Sequence, residues 1–217
     1  MRARGSLPGA RHWLACGCAG ASERTSYSPD SAEGQALAFL KSIPREWSGF
    51  SDHDCRTYDD KNLERLKPEF IVASAAFLKA FMQTHGEATI NSAHRTADEQ
   101  FCVCVGEKGP CAGKNMPPAK HGKKPPVTQA LSRHQLGIAM DVRAGTGSER
   151  EFICMHEFAR ANPQFGVYFP LGRADYPHME LVGSRGPAVN LGKLKAGNVK
   201  ITPCQKIKVM LTHDHLD

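Results

Sequence analysis

No stretch of the 217-residue chain approaches the roughly 20 consecutive apolar residues that a membrane-spanning helix needs, so no transmembrane segment is expected. Aromatic residues are scarce, at 7% of the chain. Neither an aromatic stacking motif nor a recognition helix can be traced, which removes the usual equipment for reading nucleic acid. Basic residues number 28 against 22 acidic ones, a formal charge of +6. Apart from Lys120, Lys123 and Lys124 they are scattered, a pattern that suits solubility or an anionic polymer. No G-x-S-x-G elbow surrounds Ser132, so this serine is read as orienting a ligand or substrate rather than as a nucleophile. What remains is a chain 41% hydrophobic, enough for the core of one globular domain.

Residues 1–21 differ from the rest. Arg2, Arg4 and Arg11 precede a short stretch around Leu14 and Ala15, which ends in Ala19-Gly20-Ala21. That order matches a secretory signal peptide; a lipid-modified Cys18 and a mis-started N-terminus are the alternatives. Without this segment six cysteines remain: Cys55, Cys102, Cys104, Cys111, Cys154 and Cys204. An even number in an exported chain favours disulfides. A structural metal at Cys102, Cys104 and Cys111 is disfavoured, because their C-x-C step departs from zinc-knuckle spacing.

Residues 22–62 read as a linker and an N-terminal helix at 31–43, which Ser31 caps and Pro44 ends. In 63–84, Leu63, Leu66, Phe70, Ile71, Phe77, Leu78 and Phe81 recur at three-, four- and seven-residue steps. This is a core-packing helix with Pro68 at its first turn or at a break, Ser74 on the same stripe, and Gly86 as its stop. Strands are expected at 88–92, 138–142, 165–168 and 178–182, and an amphipathic helix at 149–160. Residues 105–130 form a Gly/Pro/Lys-rich loop of a length that usually marks function or mobility. Short strands interleaved with packing helices predict an α+β domain over 63–183. A basic extension with one strand at 206–211 occupies 184–217.

The chemistry concentrates in 132–141. His134 and Asp141 lie seven apart, and on a straight strand that odd spacing would set them on opposite faces. A bend at Gly137 removes the difficulty: His134 comes from the loop and Asp141 from the strand. Imidazole and carboxylate both ligate zinc, and a catalytic zinc takes three protein ligands and keeps one position open. His178, held extended by Pro177, is the third candidate. Asp175, three residues earlier, is placed to accept a proton from an attacking water and pass it to a leaving amine. Arg95 can grip a substrate carboxylate or stabilise an oxyanion. Glu180 shares a strand face with His178, either as its hydrogen-bond partner or as a competing base. His94, His121 and His156 are expected to be solvent-facing or core histidines.

Ser132-x-His134-x-x-Gly137-x-Ala139-x-Asp141 resembles the S-x-H-x-x-G-x-A-x-D signature of the zinc DD-peptidases. That family comprises D-alanyl-D-alanine carboxypeptidases and dipeptidases, with phage L-alanyl-D-glutamate endopeptidases. Asp175-x-x-His178 resembles its acid-x-x-His motif, and the segment from Asn91 to Thr96 resembles its S-G-x-R-[ST] segment, in the family's order over residues 63–182. The resemblance implies one Zn2+ on His134, Asp141 and His178, with Asp175 as base and Arg95 and Ser132 toward substrate. It implies a small, mainly antiparallel sheet packed against helices, the fold shared with the Hedgehog signalling domain. It also implies a peptidoglycan peptide as substrate, with a phage-type lysin as the nearest alternative; the export signal and the expected disulfides point to a periplasmic or cell-surface location. Three departures stand out: Ala93 replaces a glycine, Asp175 stands where many members have Glu, and Glu180 where some have a second histidine. Because the Hedgehog domain shares fold and ligands, a non-catalytic zinc-stabilised cell-wall-binding module is the alternative. The sequence leaves open the choice between carboxypeptidase and endopeptidase action, and the oligomeric state.

Overall fold

The computed structural model describes residues 26–46, 56–105, 132–183 and 199–200. The expected signal segment, Lys120 to Lys124, His121, most of the 105–130 loop and the expected strand at 206–211 lie outside them.

Helix α3, Pro68–His85, is the spine of the core. Pro68 sits at the first helical position, where a missing N–H costs nothing, and Gly86, at φ 102°, takes the chain out of the helix. The stripe buries Phe70, Ile71, Phe77, Leu78 and Phe81. Ser74 completes it, fully buried because its hydroxyl donates to the Phe70 carbonyl one turn back. Helix α1, Ala32–Ser42, starts where the Ser31 hydroxyl accepts the Gly34 N–H, and it lays Leu37 and Leu40 on α3. A single turn, α2 (Asp60–Leu63), adds Leu63 to the same cluster.

Strands β1 (Ala88–Ser92), β2 (Ala139–Ala144), β3 (Val167–Tyr168) and β4 (His178–Leu181) form one sheet in the order β1-β2-β4-β3, every pair antiparallel. Its inner face gives Ile90, Met140, Val142 and Met179 to the core. Helix α5, Glu149–Ala161, adds Met155 and Phe158 to the same core, Phe158 packing on Phe77 and Phe81 of α3, and a reciprocal cap between Ser148 and Glu151 starts it. The architecture is therefore α+β with a small antiparallel sheet.

Helix α4, Ala97–Val105, does not emerge from hydrophobic periodicity. Its signal is a capping box instead: Thr96 Oγ1 accepts the Glu99 N–H at 3.2 Å, and Glu99 Oε2 accepts the Thr96 N–H at 2.7 Å.

Two features of the sheet position the site. Ser92, Asp141 and His178 stand in line across β1, β2 and β4, with Ser92 opposite Asp141 and Asp141 opposite His178. Between Ile90 and Ser92 the register slips, leaving Asn91 as an extra residue in β1. Such a bulge bends its strand and redirects the chain beyond it, here the segment leading to Arg95.

Candidate metal centre

His134 belongs to a turn whose shape is fixed at both ends. At the start, Ser132 and Gln135 cap one another: the Ser132 N–H donates to Gln135 Oε1 and the Gln135 N–H to Ser132 Oγ, at 3.1 and 3.3 Å. The Ser132 hydroxyl also donates to Gln100 Oε1 at 2.9 Å, tying the turn to α4. At the end, Gly137 adopts φ +70°, and a Cβ there would meet the Arg65 carbonyl oxygen at 2.8 Å. The Gly137 carbonyl in turn accepts the Lys67 N–H at 2.8 Å. Only glycine fits this conformation so close to another backbone.

The segment before α4 is fastened as firmly. The Ala93 N–H donates to the Thr57 carbonyl, the Thr57 hydroxyl donates to Ser92 Oγ, and Asn62 Nδ2 donates to the His94 carbonyl. These bonds aim the Ala93 carbonyl at His134 and the Arg95 side chain at Asp141.

His134 Nε2, Asp141 Oδ1 and His178 Nδ1 converge. The separations are 3.2 Å between the two nitrogens, 3.3 Å from His134 to Asp141 and 3.2 Å from His178 to Asp141. His134 is 3% exposed, Asp141 9% and His178 7%. The outer nitrogens identify the tautomers. His134 Nδ1 lies 2.8 Å from the Ala93 carbonyl oxygen, which can only accept, so that nitrogen carries the hydrogen. His178 Nε2 lies 3.0 Å from Glu180 Oε1 and donates to it. With both imidazoles neutral, three acceptor atoms then point at one small volume, an arrangement that needs a cation or a proton between them. Among the described residues, these three form the group that could hold a metal ion. Donors at about 2.0–2.1 Å from a tetrahedral ion lie roughly 3.3 Å apart, the spacing found here, so the residues fit such an ion.

The surrounding charges prepare these donors. Burial disfavours the charged form of His134, and with Arg95 nearby it lowers that pKa, keeping the ring neutral. For Asp141 burial acts upward, but the facing His134 and Arg95 outweigh it and hold the carboxyl well below its usual range. Burial would lower His178; its hydrogen bond to Asp141, that carboxylate's charge and the bond to Glu180 reverse this and raise it. Without a metal, His178 is thus the ring that takes up the proton.

Arg95 donates through Nη2 to Asp141 Oδ2 and through Nε to Ser92 Oγ at 2.8 Å, with its side chain 12% exposed. It therefore orients the carboxylate donor. Asp175 stands at the end of a short 3-10 turn, Gly172–Ala174, partly buried and within electrostatic reach of Asp141, His178 and Arg95. Burial and the Asp141 charge push its pKa from 3.8 up to about 6, against the opposing pull of His178 and Arg95. Its loop is held by His156 of α5, whose Nε2 donates to the Tyr176 carbonyl at 2.8 Å while the ring stacks on Phe169. His94 is a core histidine, 6% exposed. Glu180 is fully buried, and its second oxygen accepts the Tyr168 hydroxyl at 3.1 Å. Cys102 and Cys154 are both disulfide-bonded.

Periodicity pointed to neither the His156 anchor nor the Tyr168 contact. Both depend on which segments become neighbours, whereas the Ser-x-x-Gln cap at Ser132 leaves a trace in the sequence. Among the described residues no helix is long and apolar enough to cross a membrane. No protein-family model, curated protein or solved structure matches the chain.

Proposed function

We propose that this chain is a zinc-dependent peptidase that hydrolyses peptidoglycan stem peptides, with the Hedgehog/DD-peptidase type of fold. The observation that carries the reading is the convergence of His134 Nε2, Asp141 Oδ1 and His178 Nδ1 at 3.2–3.3 Å, beside a carboxylic acid whose pKa is raised to about 6. Two nitrogens and one oxygen are a donor set that suits zinc and leaves a fourth position open. When bound there, zinc would supply a water acidified to about pKa 7 and a Lewis acid for the scissile carbonyl. Asp175 takes the proton from the attacking water as the new C–O bond forms, then delivers it to the amine as the C–N bond breaks. A base with a pKa near 6 is suited to both halves of that transfer near neutral pH. Arg95 has five N–H donors, so it can hold Asp141 and Ser92 and still offer hydrogen bonds to a substrate carboxylate or oxyanion. The resemblance of 132–141 and 175–178 to the DD-peptidase motifs directs this chemistry to peptides containing D-alanine. Disulfides at Cys102 and Cys154 favour an exported protein, in the periplasm or at the cell surface.

The test is incubation of zinc-loaded protein with purified peptidoglycan, followed by mass analysis of soluble products. Free D-alanine identifies a carboxypeptidase and larger fragments an endopeptidase. Stoichiometric zinc without any product would overturn the peptidase reading in favour of a binding module.

A further inference from the structure

The two histidines offer different nitrogens. His134 presents Nε2 and is held from behind by a backbone carbonyl, whereas His178 presents Nδ1 and is held by a buried carboxylate. We infer that Glu180, braced by Tyr168, is the positioning residue that fixes His178 as an Nδ1 donor and sets the affinity of the centre for its metal. This rests on the metal reading above.

The sheet makes the arrangement. His178 and Glu180 are two apart on β4 and share a face, so the carboxylate reaches the far nitrogen of its own neighbour, 3.0 Å away. Glu180 lies opposite Tyr168 on β3 and opposite Ala139 on β2. The tyrosine donates its hydroxyl to the second oxygen at 3.1 Å. The alanine, fully buried, leaves room for the carboxylate to sit at the sheet surface, where a larger residue would compete with it.

The chemistry gives the arrangement a purpose. A neutral imidazole has one N–H and one lone pair, and a carboxylate at Nε2 draws the N–H there, leaving the lone pair on Nδ1 toward Asp141 and His134. A carboxylate behind a ligating imidazole also raises the basicity of the donor. Glu180 is fully buried and engaged at both oxygens, so it is placed to hold a ligand, while the partly exposed Asp175 remains the base.

The test uses the full chain and zinc alone. Glu180→Gln, Glu180→Ala and Tyr168→Phe are compared with the wild type by competition against a chromogenic chelator. In parallel, 15N NMR of the zinc-loaded proteins reads which histidine nitrogen bears hydrogen. Loss of such an outer partner costs about 10–100-fold in metal affinity. Glu180→Ala is expected toward the upper end and to lose the Nε2–H signature of His178. Glu180→Gln, which keeps an acceptor but no charge, is expected toward the lower end and to retain that signature. Tyr168→Phe is expected to weaken zinc a few-fold, and it decides the matter if the Glu180 variants do not fold, since it removes one hydroxyl from a half-buried ring. Wild-type affinity with an unchanged His178 signal in the Glu180 variants, or in Tyr168→Phe where those do not fold, overturns this inference alone. A wild type that binds no zinc overturns the metal reading, and this inference with it.

Discussion

Asp141 and His178 are direct partners across the β2–β4 pair, and their donor atoms face each other at 3.2 Å. Backbone pairing thus sets most of the geometry of the centre. His178→Ala removes one of the three donors, and His134→Ala does the same from the loop side. Either is expected to reduce bound zinc from about one equivalent per chain to near zero by elemental analysis. Reducing the disulfides should leave the stoichiometry at one. Retention of zinc in His134→Ala, with its loss on replacing Cys102 and Cys104, would move the metal to the cysteines.

Asp175 links activity and stability with opposite signs. Its folded-state pKa is raised, from 3.8 to about 6, so ionising it costs the metal-free fold stability. That cost is absent below pH 3.8 and complete above about pH 6. At 1.36 kcal/mol per unit the shift corresponds to about 3 kcal/mol, and partial exposure reduces this to about 1–2. Asp175→Asn should therefore raise the stability of the metal-free protein by that amount at pH 7, and by nothing at pH 3.5, in denaturant titrations. The same variant should bind zinc normally and release no product from peptidoglycan.

On the proposed peptidase reading, the same group should set the acid limb of the wild-type rate profile. The base must be ionised, so kcat/KM should fall as pH drops through its pKa. A bound cation favours the carboxylate form, which puts this limb at or below about pH 6. A limb well above 6 would assign the base elsewhere.

Gly137→Ala tests the turn that carries His134. The residue would have to hold φ +70° with its Cβ 2.8 Å from the Arg65 carbonyl oxygen. Left-handed backbone alone costs an alanine about 1–2 kcal/mol, and the contact adds to it. Chemical denaturation should show a loss of about 2 kcal/mol or more, and zinc affinity should fall with it. An unchanged midpoint would mean that the turn can relax away from the segment before α3.

Much of this organisation was legible in the sequence, for identifiable reasons. From Phe70 to Phe81 the stripe is strongly periodic, so spacing places the body of α3; the expected 63–84 helix is cut at Pro68, which leaves Leu63 in α2 and Leu66 in the turn between them. Segment 132–141 is legible because Gly137 explains how a seven-residue step can bring His134 and Asp141 together. Other features depend on pairing. Which nitrogen each histidine presents is decided by Ala93 and Glu180, and the contact of Tyr168 with Glu180 by the β3–β4 register. Arg95, expected to face substrate, is found gripping Asp141, because the bulge at Asn91 redirects the chain behind it. Helix α4 escapes a periodicity reading because its evidence is the local Thr96–Glu99 cap rather than an apolar stripe.

The in-line placement of Ser92, Asp141 and His178 across three hydrogen-bonded strands also makes the site a potential clasp on the sheet. An ion held by His134, Asp141 and His178 would join the turn at His134 to both β2 and β4, and its binding free energy would add to the stability of the fold. Parting the two strands would then mean releasing the ion as well as the backbone hydrogen bonds.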